Sequence, residues 1–204
     1  MSLLNLGAGP ASDSMVRSFR GQVAKVIGAD IDPIVMTNDE LDEAYVISDG
    51  KLPLDDQSID VVYCDYVLEH VRDPAELMSE VHRVLRVGGH FFFRMPNIYH
   101  YVSIIAKYTP HWFHEAVANR VRGISERAHD PYSTYHRLNS RHSIQRHAKV
   151  AGFERCELVF FEAQPSYLMF ATIPFLLGVG YERMVNRFEN LSWLRANIFG
   201  KLTK

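Results

Sequence analysis

Gly7 and Gly9 stand two residues apart in Leu6-Gly7-Ala8-Gly9-Pro10, directly after the apolar run Leu3-Leu4-Asn5-Leu6. Glycines so placed let backbone approach a ligand closely, and the start of the next helix adds exposed N–H donors. A dinucleotide cradle wants glycine at the first, third and sixth positions of such a turn. Here the sixth is Ser12, and Pro10 removes a donor, so a pyrophosphate is a poor match. The other residues able to do chemistry are acids and a histidine that follow apolar runs: Asp30, Asp49, Asp65 and the pair Glu69-His70. His111-Trp112-Phe113-His114 spaces two imidazoles three apart, but no His-Glu-x-x-His and no cysteine pair accompanies it, so no metal site is expected.

The elements that must position these residues alternate between two periods. Leu3 to Leu6, Val23 to Ala29, Ala44 to Ile47, Ile59 to Cys64 and His90 to Met95 are short apolar runs bounded by turn residues, and each predicts a strand. Helices are predicted at about 12–19 and from Asp73-Pro74 onward, where Asp73 serves as N-cap and Pro74 as first helical residue. Leu77, Val81, Val84 and Leu85 make one apolar stripe, and Gly88-Gly89 is expected to end that helix. Further on, 139–151 predicts a helix closed by Gly152, Phe153 to Phe161 a strand, and Ser166 to Ala171 another. Apolar residues at 181, 184, 185, 188, 191, 194 and 198 predict a C-terminal amphipathic helix. Strands apolar on both faces and separated by helices imply an α/β, Rossmann-like, doubly wound and mostly parallel sheet covered on both sides. A single domain is expected: residues 1–97 as the ligand-binding half, 98–138 as an irregular lid, 139–171 as closing elements and 172–204 as a helical extension.

Composition narrows the function. The chain has 204 residues, 47% hydrophobic, with a net charge of −2, which suits a folded domain rather than a disordered chain or a dedicated nucleic-acid binder. The near-neutral total hides a split. Residues 30–80 carry 15 acids against Lys51 and Arg72, whereas 98–147 carry seven basic residues and seven histidines against three acids. Cys64 and Cys156 cannot build a disulfide scaffold, and no secretory signal is visible, so the expected location is the cytoplasm, free or peripheral to a membrane.

In its motifs and their order, the segment from residue 3 to about 161 resembles the class I S-adenosylmethionine-dependent methyltransferases. The resemblance is carried by Leu3 to Pro10, by Val26-Ile27-Gly28-Ala29-Asp30-Ile31-Asp32, and by Asp49-Gly50-Lys51-Leu52-Pro53-Leu54 followed by Ile59 to Val62. Val67-Leu68-Glu69-His70-Val71, Leu85-Arg86-Val87-Gly88-Gly89 and Ala151-Gly152-Phe153 complete it. Asn5 replaces the usual acid before the glycine turn, and its amide can still brace that turn.

The resemblance implies S-adenosyl-L-methionine as cofactor. It places Asn5, Gly7, Gly9, Asp30, Ile31, Asp49, Gly50, Asp65 and Tyr66 around it, with Asp30 on the ribose hydroxyls and Asp49 near the adenine amino group. A carboxylate can accept both hydroxyls of a vicinal diol, and acids at Asp30, Asp49, Asp65 and Glu69 suit a sulfonium cation. His70 and Glu69 are the candidates for a catalytic base if the acceptor must lose a proton. The expected acceptor is a small, sugar-linked or lipid-linked molecule, with Arg137, Arg141 and Arg146 available for an anionic group. No nucleic acid is expected. The C-terminal helix is expected to pack on its own domain, on a twin subunit or on a membrane. The competing functions are a non-catalytic binding subunit of the same fold and a nucleotide-dependent oxidoreductase.

Overall fold

A computed structural model describes residues 1–11, 18–108, 133–163 and 168–204. The helix expected at 12–19 and the lid expected at 98–138 fall largely outside the described residues, as do His111 and His114. The chain groups into two compact units: Met1–Met95 with Tyr135–Leu158 and Phe199–Lys204, and Pro96–Thr134 with Val159–Ile198.

The first unit is built on the strands β1 (Ser2–Leu6), β2 (Lys25–Asp30), β3 (Glu43–Val46), β4 (Ile59–Asp65) and β5 (Leu85–Pro96), with β6 (Arg155–Phe161) and β7 (Asn197–Thr203) completing the sheet. Strand order is β3-β2-β1-β4-β5-β7-β6. The pairs β1/β2, β1/β4, β2/β3 and β4/β5 are parallel. The chain runs outward from β1 to β3 and then returns to β4 on the other side of β1. That reversal opens a crevice beyond the carboxyl ends of β1, β2 and β4. Leu3, Leu4 and Leu6 of β1 are all buried, as are Val26, Ile27 and Ala29 of β2, which is what a strand covered on both faces requires.

The helix α1 (Pro74–Val84) starts as the sequence predicts. Asp73 accepts from Ala75 N–H at 3.0 Å and Glu76 N–H at 3.1 Å, and Pro74 occupies the first turn. Met78, Val81 and Val84 form its buried stripe. The helix ends at Val84 rather than at Gly88-Gly89, because the glycines perform another task. They sit inside β5, where the register against β4 jumps from Ile59↔Leu85 to Val61↔His90. Gly88 has φ +77°, and a side chain on Gly89 would press on the Arg86 and Asp60 carbonyls, so the pair forms a bulge. The helix α3 (Arg141–Ala151) is capped by Ser140, whose Oγ accepts from Ser143 N–H, and closed by Gly152 at φ +96°.

The C-terminus corrects an expectation. Residues 181–199 are not one amphipathic helix. The helix α4 (Thr172–Arg187) ends early, a short 3-10 turn follows over Glu189–Leu194, and the chain finishes as β7. Ile198, Gly200 and Leu202 are buried at every second position, a period of two. Gly88 N–H donates to the Lys204 carbonyl and Lys204 N–H donates to the Gly89 carbonyl, while a side chain on Gly200 would collide with the Phe93 ring. These contacts run in opposite chain directions, so β7 lies antiparallel to β5. The strand expected at Ser166–Ala171 is likewise absent where described: 168–170 form a turn, and 164–167 lie outside the described residues.

In the second unit α2 (Tyr101–Tyr108) follows a turn held by Asn97, whose side-chain amide donates to the Trp193 and Arg195 carbonyls at 2.6 and 2.8 Å. His100 and Glu162 are both buried, with Nε2 and Oε2 3.2 Å apart. Tyr181 donates its hydroxyl to the Leu194 carbonyl, and burial pushes that phenol up to about 12.

Candidate functional site

At the carboxyl end of β1 the chain turns through Gly7 at φ +75° and Gly9 at φ +57°. Any side chain on Gly7 would collide with Val67, so this position requires both the left-handed backbone and the missing Cβ. Gly7 N–H donates to the Ala29 carbonyl at 2.7 Å, which ties the turn to β2. Asp30 closes β2 and faces the same turn. Its Oδ2 accepts from Gly9 N–H at 2.9 Å and its Oδ1 from Asp32 N–H at 3.0 Å. Each oxygen keeps a further lone pair for a ligand.

These elements open onto a cavity of about 570 Å³, a size that suits a small-molecule or cofactor site. Leu6, Gly7, Asp30, Ile31, Ile47 and Gly50 line one part, contributed by the ends of β1, β2 and β3. Val67, His70, Val71, Arg72, Asp73, Glu76 and Leu77 line the rest from the loop after β4 and the start of α1, with Tyr135 and Arg137 beside them. Ile31 is 63% exposed although apolar, a side chain left facing the opening. Leu77, expected in the buried stripe of α1, is turned to this cavity. The two arginines are coupled, since Arg137 Nη1 donates to the Arg72 carbonyl at 2.8 Å.

Tyr135 and Arg137 arrive from 66 or more positions downstream of Glu69 because of one carbonyl. The backbone oxygen of Glu69, in the short 3-10 turn Leu68–His70, accepts from Tyr135 N–H at 2.8 Å and from His136 N–H at 3.1 Å. Burial and the neighbouring His70 push the His136 imidazole pKa down, which favours its neutral form.

The expected residues therefore divide. Gly7, Asp30, Ile31, Gly50 and His70 line one cavity, and Gly9 is bound to Asp30. Asn5 is buried within β1, one residue before the wall. Asp49 takes φ +54° and is exposed, with its neighbours Ile47 and Gly50 on the wall instead. Asp65 and Tyr66 lie outside the wall. Asp65 is 4% exposed at its side chain and is gripped by Arg94, whose Nε and Nη2 donate at 2.6 and 2.8 Å. The same guanidinium lies 4.5 Å from the centre of the Tyr66 ring. A carboxylate so neutralised adds little negative field to the cavity. Sequence reasoning missed Ile47, Val67, Val71, Arg72, Asp73, Glu76 and Tyr135 as cavity walls; the start signal of α1 at Asp73-Pro74 was the available clue to several of them.

Glu69 is also off the wall and is 6% exposed. Among the described residues its Oε2 has no hydrogen-bond donor. Burial pushes its carboxyl pKa up, with its own backbone and His70 opposing. The folded state thus favours the protonated form. That contribution to stability is complete below the ordinary carboxyl range near pH 4.3 and is lost as pH rises through the raised value. Glu69→Gln should therefore flatten the fall in thermal midpoint between acid and neutral pH. Unfolding curves for both proteins across that range check it, and parallel profiles would refute the assignment.

The cofactor implied by the sequence can be tested against this wall. Asp30 offers two acceptors for a vicinal diol, Ile31 and Ile47 offer flat apolar cover for a base, and Gly7 allows close backbone approach. The wall fits an adenosine group. Among the described residues no cluster of three or more His, Cys, Asp or Glu side chains is arranged to hold a metal ion.

Comparison with known proteins agrees. A family model described as a methyltransferase domain matches residues 4–93. An uncharacterised 37.1 kDa protein of a transposon in Streptomyces fradiae is 33% identical over 136 residues, covering 60% of this chain and 39% of that protein. A probable S-adenosylmethionine-dependent methyltransferase of Mycolicibacterium smegmatis is 50% identical over 48 residues, 24% of this chain and 19% of its own. The chain thus spans well under half the length of these relatives. Among solved structures, a Haemonchus contortus phosphoethanolamine N-methyltransferase in complex with S-adenosyl-L-methionine matches with a TM-score of 0.62 at 17% identity. That match covers 100% of this chain and 48% of the other, and it speaks for the fold.

Proposed function

We propose that this chain is a class I S-adenosylmethionine-dependent methyltransferase that transfers a methyl group to a small acceptor carrying an anionic group, free or sugar- or lipid-linked, a reading supported by the methyltransferase-domain model that matches residues 4–93. The observation that carries the proposal is the convergence of Asp30, Ile31 and the Gly7 turn on one cavity at the switch point of the sheet. The cofactor supplies a methyl group already activated on a sulfonium, so the protein needs no metal or nucleophile of its own. Asp30 would hold the ribose hydroxyls, and Ile31 and Ile47 would shield the base from water. What remains for the chain is positioning of an acceptor in a water-poor cavity.

Arg72 and Arg137 on the wall support an anionic acceptor, since guanidinium forks suit carboxylate or phosphate oxygens. His70, on the wall, is the residue we assign to take a proton from an acceptor hydroxyl, thiol or amine. Location in the cytoplasm remains part of this proposal.

Isothermal calorimetry with S-adenosylhomocysteine tests the cofactor half. A heat of binding with a matching rise in thermal midpoint is expected, and NAD should give neither. Absence of both effects with S-adenosylhomocysteine would favour a non-catalytic subunit. Incubation with methyl-labelled cofactor and cell extract then identifies the acceptor, which is expected among the anionic small molecules.

A further inference from the structure

The helix α4 turns its apolar side outward. Ile173, Leu176, Leu177 and Met184 are 74%, 60%, 70% and 44% exposed. At about 100° per residue these four fall within an arc of about 100°, the width of stripe that ordinarily faces a protein core. The buried residues of the helix, Gly178 and Val185, lie on the opposite flank. Met169 and Phe170, just before the helix, and Phe188, just after it, are more than half exposed as well. Stripes of this kind on a soluble surface mark a contact site.

The charges say what covers it. Arg187 lies inside the exposed arc and Arg183 at its edge, both exposed. The acids nearby face elsewhere or are engaged. Glu182 is half-buried on the far flank and accepts from Asn186 at 3.2 Å, and Glu189 pairs with Arg195 at 2.8 Å. A second copy of this face would bring more arginines and no acid to meet them. An anionic bilayer supplies both an apolar layer and the counter-charge. Among the described residues no helix is long and apolar enough to cross a membrane, so α4 would lie in the surface plane.

We infer that α4 docks this protein on an anionic membrane surface, with the Ile173–Leu177 face at the acyl boundary and Arg183 and Arg187 on lipid headgroups. The inference does not depend on cofactor binding.

Co-sedimentation of the full chain with vesicles of phosphatidylcholine, with and without phosphatidylglycerol, tests it. The anionic vesicles should bind the protein, and added salt should release it. Each basic side chain near such a surface contributes about fivefold in partitioning, so Arg183→Gln with Arg187→Gln should cost roughly 25-fold. Leu176→Glu with Leu177→Glu should abolish binding while circular dichroism and thermal midpoint stay as in the wild type, because both side chains face solvent. Equal binding to neutral vesicles, arginine variants that bind like the wild type, or no sedimentation at all would each overturn the inference. So would a wild-type dimer that ignores vesicles and dissociates in the Leu176→Glu, Leu177→Glu variant, which would assign the face to self-association.

Discussion

Asp30→Ala should weaken S-adenosylhomocysteine binding by about 1.5–3 kcal/mol, the range for hydrogen bonds to a charged group, or roughly 10- to 150-fold in Kd. The carboxylate is the polar group that β2 delivers to the cavity beside the apolar Ile31, and among the described residues no other acid lies on that part of the wall. The same carboxylate also accepts the Gly9 and Asp32 amides, so its loss loosens the glycine turn. Two variants separate these effects. Asp30→Asn keeps an acceptor oxygen and should retain more of the thermal midpoint than Asp30→Ala, yet it loses the charge and one of two acceptors. Both should bind more weakly than the wild type by calorimetry. Unchanged affinity in Asp30→Ala would remove the diol assignment, whatever happened to stability.

Asp30 could be found in the sequence because its position follows from local rules. An apolar run sets the strand, the acid ends it, and Ile31 and Asp32-Pro33 stop the continuation. Asp73-Pro74 and Gly152 were legible for the same reason, since caps are short-range chemistry and depend on few neighbours. Where the outcome depended on distant contacts, local pattern misled. Gly88-Gly89 has the form of a helix stop, but the helix had already ended at Val84 and the pair serves a bulge against β4. Residues 181–199 contain apolar spacings that fit a helix, yet Ile198, Gly200 and Leu202 fit a strand equally well. The decision fell to β5, which offers an edge that Lys204 pairs with and a Phe93 ring that only a glycine at position 200 can approach. Tyr135 and Arg137 could not have been placed by any local rule, because the Glu69 carbonyl that fixes them lies far upstream.

Asp65 shows how a correct element can carry a misplaced role. It ends β4, one residue beyond the run Ile59 to Cys64 expected as the strand, and sequence alone makes it one more acid for a sulfonium cation. The structure pairs it with Arg94 of β5, directly across the ladder from it. Arg94→Ala should therefore act on stability far more than on cofactor affinity. Removing one partner strands a buried charge, a loss of about 3–5 kcal/mol in well-buried pairs. Here Arg94 is one-third exposed, which places the expected cost near the lower limit, about 3 kcal/mol. For a chain of this size that is a fall of roughly 6–12 °C in thermal midpoint. Part of the loss comes from Tyr66, a non-glycine residue at φ +55° whose ring the guanidinium covers. Adding Asp65→Asn removes the stranded charge, so the double variant should recover stability relative to Arg94→Ala alone, a coupling that a double-mutant cycle measures directly. Additive losses would mean that the pair is a surface contact of little weight. A fall in S-adenosylhomocysteine affinity in a variant that still folds would return Asp65 to the cofactor site.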